Sequence, residues 1–322
     1  MKTMIKNDVF YSAGITAKVA KEPQERPTVS SLLSVSSDAK TIKNKKFGYL
    51  TGVQYMMPHK GSGITNLCKY ASDGCIEACL NTAGRGSFDP NIAIARKKRT
   101  ILFTYHKEYY FNRLIKEIES LVRKADREGL IPNIRLNGTS DIPWERVKVD
   151  GENNIFELFP NIEFYDYTKY PYIYRQDVFL KKNYHLTYSF SEKTVKEEMH
   201  SNLDNGRDVA VVFDICKRNY KSKCFTKCTC PLPKYATFDE IVYKSSDVHT
   251  VIDGDVHDLR FRDFKNNKNW QKGAIIGLRA KGRARKDYTG FVVRNNDIYK
   301  QQLGISYDYS WLITKSIERN TK

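Results

Sequence analysis

The segment YHLTYSFSEKTVKEEMHSNLDNGRDVAVVFDI, residues 184–215, reads as strand, helix, strand. Its ends, YHLTYSF at 184–190 and DVAVVFDI at 208–215, are rich in β-branched and aromatic residues. TVKEEMHSNL between them has helical character, with Thr194 and Glu197 spaced as a capping box. The same alternation extends outward in both directions. Upstream, residues 48–57 read as a strand, Asp89 and Pro90 signal a helix start, and KEYYFNRLIKEIESLVRKADREG keeps apolar residues at helical spacing until Gly129. NIRLN at 133–137 and IEFYDYT at 162–168 are further strand-like runs, as are HTVID at 249–253 and GAIIGLRA at 273–280. Strands alternating with helices predict an α/β fold with a mostly parallel sheet, open or partly closed as a (β/α) barrel.

Parallel strands of this kind gather chemistry at their carboxyl ends. LCKYASDGCIEACLNTAGRG, residues 67–86, follows the first strand and carries Cys68, Cys75 and Cys79. A closed structural zinc site takes four protein ligands, whereas a cubane iron–sulfur cluster can be held at three irons, leaving the fourth open. The spacing C-x6-C-x3-C matches no standard zinc-finger, ferredoxin or Cys-x-x-Cys pattern. His59 or a cysteine from elsewhere would complete a zinc site, and the plainest alternative is three unligated thiols. A second group, Cys216, Cys224, Cys228 and Cys230, has enough thiolates for another zinc or cluster site. Its short C-x-C step strains tetrahedral ligation by all four.

The other strand ends are polar as well: Asn137-Gly138-Thr139-Ser140-Asp141 after the second, Asp166, Thr168 and Lys169 after the third, Ser189, Ser191 and Glu192 after the fourth, and Asp214 after the fifth. Each alone is also a normal cap or turn former. Further on, DGDVHDLRFRD at 253–263 places Asp253, Asp255 and His257 on one face if it is extended, a grouping suited to a hard metal or a general base. The competing reading is a turn followed by a charged strand edge, with Asp258 and Arg260 paired at the surface. Arg279, Lys281, Arg283 and Arg285 in GLRAKGRARKDYTG would line a phosphate path, although the glycines fit no standard phosphate loop.

Lysine and arginine outnumber the acids 54 to 37, and the resulting +17 charge attracts polyanions, with nucleic acid or a nucleotide the leading partner class. Tyr165, Tyr167, Tyr170, Tyr172 and Tyr174 interleave with basic residues, as base-stacking or as core residues. No apolar run approaches the roughly 18 residues that cross a bilayer, so no membrane partner is expected. MKTMIKNDVFYSAG lacks an apolar export core, and seven cysteines in two clusters suit a reducing cytoplasm better than a disulfide framework. Residues 1–46 read as a basic, largely irregular segment, and 47–322 as a single α/β barrel-like domain with a cysteine-rich insertion near 216–231.

Several stretches carry a resemblance: LLSVSSDAKTIKNKKFGYLTGVQYMMPHKGSG, CKYASDGCIEACLNTAGRG, RLNGTSDIPWE, VIDGDVHDLRFRD and GLRAKGRARKDYTGFVV. They resemble a family of phage-encoded proteins over about residues 31 to 293. The resemblance marks Cys68, Cys75, Cys79, Gly84, Arg85, Asn137, Thr139, Asp141, Asp253, Asp255 and Arg260 as motif positions without assigning a reaction. The segment Cys224 to Cys230 departs from that family's pattern. More distantly, the chain is similar to radical S-adenosylmethionine enzymes, in which three cysteines after the first strand of a partial barrel hold a 4Fe-4S cluster. FYDYTKYP looks like the strand-end lysine segment of some phage proteins of that kind. Those enzymes usually carry C-x3-C-x2-C, and a glycine-glycine-acid motif where this chain has Gly138-Thr139-Ser140-Asp141.

The resemblance implies a radical-SAM-like, partly closed barrel with the cluster on Cys68, Cys75 and Cys79. Asn137, Gly138, Thr139, Ser140 and Asp141 would position S-adenosylmethionine, and Lys169, Glu192 and Asp141 would serve catalysis. Asp253, Asp255, Arg260, Arg279, Lys281, Arg283 and Arg285 would contact a nucleic-acid or nucleotide substrate in the cytoplasm of an infected host cell. Two other readings stand beside it. One is a zinc-stabilised nucleic-acid-binding protein without catalysis; the other is a nuclease using Asp253, Asp255 and His257 with magnesium or manganese.

Overall fold

The computed structural model describes residues 25–35, 39–82, 86, 88–214, 232, 235–237, 249–266, 272–294 and 313–315. Gly84, Arg85, the second cysteine group at 216–230 and most of the basic N-terminal segment lie outside them. The chain divides into two compact units. The first comprises the described residues within Met1–Ala71, Leu80–Leu186 and His257–Arg260; the second those within Ser72–Cys79, Thr187–Val256 and Phe261–Lys322.

With elements numbered in chain order, the first unit contains β1 (Leu33–Val35), α1 (Ala39–Lys45), β2 (Tyr49–Gln54), α3 (Pro90–Tyr105), α4 (Lys107–Glu128), β3 (Ile131–Arg135), α5 (Ile155–Leu158) and β4 (Glu163–Thr168). β1 lies antiparallel to β2, with Leu33 opposite Gln54. β2, β3 and β4 are parallel, in register from Tyr49 opposite Ile131 to Val53 opposite Arg135 and from Asn133 opposite Glu163. β5 (Tyr184–Ser189) continues the order beyond β4.

Helix α3 starts where the sequence signals it: the Asp89 side chain accepts from the Asn91 amide, and Pro90 fills the first helical position. Helix α4 ends at Gly129, whose left-handed φ of 64° suits glycine. Between these ends Tyr110, Phe111, Leu114, Ile118, Leu121 and Ala125 form the buried stripe of α4. The stripe joins Leu50, Ile134, Leu136, Trp144, Phe156 and Phe164 in one core. Gly52 permits the close approach, since a Cβ there would sit 3.1 Å from Leu121 Cδ2 and 3.4 Å from Leu33 Cδ1. Glu117 on the same helix holds the edge strand: its carboxylate accepts from the Leu32 and Leu33 amides at 2.8–2.9 Å and pairs with Arg113 at 2.8 Å.

The second unit contains α2 (Asp73–Glu77), α6 (Lys196–Leu203), β6 (Val209–Asp214), β7 (Tyr235–Thr237), β8 (His249–Asp253), α7 (Arg260–Asn266, Arg260 itself falling in the first unit), β9 (Ile275–Arg279), β10 (Val292–Arg294) and β11 (Ile313–Lys315). β6 pairs in parallel with β9, and β9 with β8; β7 joins β8 and β11 in antiparallel fashion. β5 and β10 share one edge of β6. β5 covers Val209 and Ala210, and β10 takes over at Val212, Phe213 and Asp214. Tyr188, Phe190, Met199, Leu203, Val209, Val211, Phe213 and Ile275 form this unit's main core.

The fold is thus mixed α/β with a mostly parallel sheet. Among the described residues the strand order runs from β1 to β11 without returning, so the sheet is not closed. Among the described residues no helix is long and apolar enough to cross a membrane. One local expectation is overturned. α6 begins at Lys196 behind Val195 and has no side-chain cap, so Thr194 and Glu197 form no capping box. Thr194 Oγ1 instead accepts from the Ser191 amide at 2.9 Å and lies 3.1 Å from the Tyr188 hydroxyl, so its oxygen closes the turn after β5.

Replacing Glu117 with alanine leaves the Leu32 and Leu33 amides without their charged acceptor, and hydrogen bonds to charged groups contribute about 1.5–3 kcal/mol. Glu117→Ala should destabilise the protein by roughly that amount. Amide hydrogen exchange at Leu32 and Leu33 should accelerate more than exchange in β3; equal rates in wild type and variant would contradict this role.

Candidate functional site

The NGTSD segment is a heavily bonded turn of the first unit. As the chain leaves β3, the Asn137 amide donates to Asp166 Oδ1 at 2.7 Å, and its side-chain nitrogen donates to the Ile142 carbonyl at 2.9 Å and to Asp166 Oδ2 at 3.3 Å. Asn137 Oδ1 accepts from the Ser140 hydroxyl and the Ile142 amide, both at 2.9 Å. The Gly138 amide donates to the Gln54 carbonyl at 2.9 Å, and a Cβ on Gly138 would lie 2.5 Å from that oxygen and 2.7 Å from the Tyr55 ring. Only glycine fits this approach. The Thr139 hydroxyl then donates to the Met56 carbonyl at 2.6 Å.

Two contacts tie this turn to the cysteine segment. The Asp141 amide donates to the Leu67 carbonyl at 2.8 Å, and Cys68 Sγ lies 3.9 Å from the Thr139 carbonyl oxygen. The Cys68 sulfur also accepts the His59 amide at 3.3 Å. Segments 71 residues apart therefore meet at one thiol.

Behind the turn stands a buried charged network. Arg175 is fully enclosed and grips Glu145, Nε 2.6 Å from Oε1 and Nη2 2.7 Å from Oε2, with Nη1 3.2 Å from Thr168 Oγ1 and 3.6 Å from Asp141 Oδ1. Asp141 Oδ2 accepts the Lys169 amide at 2.7 Å. Burial raises the Asp141 carboxyl above the usual carboxylate range despite the nearby Arg175. Asp166 is pushed up to about 7, its burial outweighing the Asn137 hydrogen bond, Arg135, Arg175 and the Tyr184 hydroxyl at 3.2 Å. Glu145 and Arg175 were not among the expected site residues. Their signal was a charge directly beside an aromatic ring, Glu145 after Trp144 in PWERV and Arg175 after Tyr174 in YIYRQ.

A second polar cluster lies around Asp258. Arg135 Nη1 pairs with Asp258 Oδ2 at 2.9 Å, and the hydroxyls of Tyr165 and Tyr167 donate to the same carboxylate at 3.2 and 3.4 Å. The Asp258 amide donates to Asn44 Oδ1, and Asn44 in turn donates to Thr51. The expected surface pair of Asp258 with Arg260 does not form. Both are buried, Asp258 is taken by Arg135, and Arg260 donates to the His257 carbonyl. Nor does His257 extend a strand face from Asp253: its ring meets Phe47 edge-on at 5.1 Å and its Nδ1 accepts the Leu259 amide.

In the second unit, Cys75 sits on the short helix α2. Ser72 caps this helix, its hydroxyl accepting the Cys75 amide at 3.2 Å and donating to Glu192 Oε2 at 2.7 Å. Glu192 Oε1 accepts the Gly74 amide at 2.9 Å. Glu192 therefore holds the helix that carries Cys75. A Cβ on Gly74 would fall 2.1 Å from Thr289 Oγ1 and 2.7 Å from Phe291 Cβ. Cys75 packs against the cluster of Ala78, Ala280, Ala284, Phe291 and Val292.

β8 ends at Asp253, and the chain turns there, the Asp255 amide donating back to Asp253 Oδ1 at 3.0 Å. Arg279 forks onto Asp253 at 2.8 and 2.9 Å and reaches Asp255 at 3.2 Å; Lys281 also pairs with Asp255. These two acids are thus bonded to two of the expected substrate-binding cations. Arg283 is exposed, and Arg285 donates to the Ala280 carbonyl. Cys68, Cys75 and Cys79 are in no disulfide, and each is partly exposed. Among the described residues no three His, Cys, Asp or Glu side chains converge on a single ion.

Two outcomes follow from these contacts. Gly74→Ala forces backbone or Thr289 to shift, which should cost roughly 1–3 kcal/mol and speed alkylation of Cys75; unchanged labelling would show that α2 tolerates the methyl. Asp166 has a folded pKa of about 7, above the ~3.9 of an unfolded aspartate. A raised carboxyl favours the folded state below about pH 4, and that contribution is lost as the pH rises through 7. Urea unfolding should therefore find Asp166→Asn gaining on wild type between pH 5 and pH 8, and parallel pH profiles would refute it.

No curated protein and no solved structure matches the chain. The profile of the phage family described as Gene product 88 matches residues 31–295, spanning β1 to β10 and both the cysteine and NGTSD segments. That match covers well over half of the sequence, and the chain belongs to the Gene product 88 family.

Proposed function

We propose that this protein is an iron–sulfur enzyme of radical-SAM type acting on a nucleic-acid or nucleotide substrate, with Cys68, Cys75 and Cys79 as the ligands of a four-iron cluster. The observation that carries the reading is the junction at Cys68, where the cysteine segment and the NGTSD turn bond to one another at the carboxyl end of parallel strands. Ligands and cofactor-positioning groups meet at this end of the sheet in parallel α/β enzymes. The donor set suits the group: three disulfide-free, partly exposed cysteines lie within twelve residues. A four-iron cluster bonds each thiolate to a different iron, so it does not require three sulfurs around one ion.

When bound, such a cluster would supply one electron for reductive cleavage of S-adenosylmethionine. The chain's own residues have defined parts in this reading. Thr139, Ser140 and Asp141 position the cofactor, on a turn fixed by Asn137 and Asp166. Asp141 is raised by burial and Asp166 lies at about 7, so this wall of the site can hold a proton near neutral pH. Glu192 positions α2 and with it Cys75. The +17 charge favours a polyanionic substrate.

Iron, acid-labile sulfide and zinc should be measured on protein prepared without oxygen, for wild type and Cys75→Ala. About four irons per chain in the wild type, lost in the variant, would support the reading. Cleavage of S-adenosylmethionine by reduced protein is then expected. Stoichiometric zinc without iron would overturn it in favour of a zinc-braced nucleic-acid-binding protein, and so would absence of iron after cluster reconstitution.

A further inference from the structure

The segment after β4 places aromatic rings at the surface on an unusually firm base. Tyr172–Leu180 comprises two short 3-10 turns that meet at a kink at Arg175, and the segment is anchored from within by that residue, fully buried on Glu145. Next to that anchor, Tyr174 is 50% exposed and Ile173 69% exposed. The Tyr174 amide donates to the Pro171 carbonyl, and the Tyr174 carbonyl accepts from Arg146, itself paired with Asp177. Both backbone polar groups of Tyr174 are thus bonded, and the main chain beneath the ring is held.

The ring stacks on Tyr70, with centroids 5.8 Å apart and planes 28° from parallel. Tyr70 also packs on the buried Tyr170 at 4.5 Å, and Lys69 Nζ lies 5.5 Å from the Tyr70 centroid. A tyrosine stack exposed at Tyr174 and half-buried at Tyr70, beside a lysine in a chain of charge +17, has the two elements that bind unpaired bases: a π-face and cations for the backbone phosphates. Tyr70 lies two residues from Cys68, and Tyr170 follows Lys169, whose amide donates to Asp141.

We propose that Tyr174 and Tyr70 form a stacking platform for an unpaired base of a single-stranded nucleic acid, with Lys69 attracting its backbone. This deepens the reading of the substrate given above and rests on it. A duplex is a poor occupant, because its bases already stack on one another.

The test is fluorescence anisotropy of a labelled twelve-nucleotide oligothymidylate over a salt series, with a duplex of equal length as comparison, on wild type, Tyr174→Ala, Tyr174→Trp and Lys69→Gln. Tyr174→Ala should weaken single-strand binding roughly five- to hundredfold, the range of one lost base stack, with the salt slope unchanged. Lys69→Gln should lower that slope by about one. Tyr174→Trp should retain binding and show fluorescence quenching by the bound strand. Equal affinity of Tyr174→Ala and wild type, or tighter binding of the duplex, would overturn the platform. Thermal melts check that Tyr174→Ala is folded, and iron content measured on the same samples keeps the two readings apart. Unchanged iron with lost single-strand binding supports the platform. Tyr174-dependent binding by an iron-free protein supports it too, while removing the cluster.

Discussion

A single buried carboxylate, Asp166, determines how the first unit ends its sheet. It accepts both the backbone and side-chain N–H groups of Asn137, so the chain leaving β3 cannot continue as a strand and must turn at Gly138. That turn brings Thr139 onto Met56 and Asp141 onto Leu67, and Cys68 reaches the Thr139 carbonyl as a result. The anion is costly to hide, and the protein offsets the cost only in part. Asn137 and Tyr184 donate to it, yet burial still outweighs them.

The same balance recurs at Arg175. Enclosing a guanidinium is unfavourable without good partners, and Glu145 supplies a charged one, accepting a hydrogen bond from Nη2 and lying in ion-pair contact with Nε. Thr168 Oγ1 lies within reach of a further N–H. Removing one partner from such a pair leaves an uncompensated charge, so the network behaves as a unit. Its structural effect is to fix the segment 168–175 from inside while the neighbouring tyrosine and isoleucine remain outside.

The periodicities that reveal elements were strong in this sequence. HTVID at 249–253 coincides with β8, Asp89 and Pro90 open α3, and Gly129 closes α4, because each depends on local chemistry alone. What failed locally failed for tertiary reasons. Thr194 had the spacing of a cap, but the turn after β5 uses its oxygen one residue too early. Asp258 and Arg260 look like an exposed ion pair, yet Arg135, more than a hundred residues upstream, takes the aspartate. The candidate site shows the same division. Polar strand ends could be read from Asn137 to Asp141, whereas Glu145 and Arg175 matter only because the fold encloses them together. Glu192, read as lining a reactive site, is bonded to the cap and first turn of α2.

The handover on β6 has a consequence for solubility. Open strand edges template pairing with other chains, and parallel strands are slow to find their partners. Along β6 one edge is occupied by β9, and the other is covered first by β5 and then by β10. Its apolar sequence VAVVFD would otherwise be a strong nucleus for intermolecular association. Because β10 arrives from some eighty residues downstream, that protection is complete only once the chain has been made as far as Arg294. During synthesis, the interval before β10 docks is when this strand is most open to aggregation.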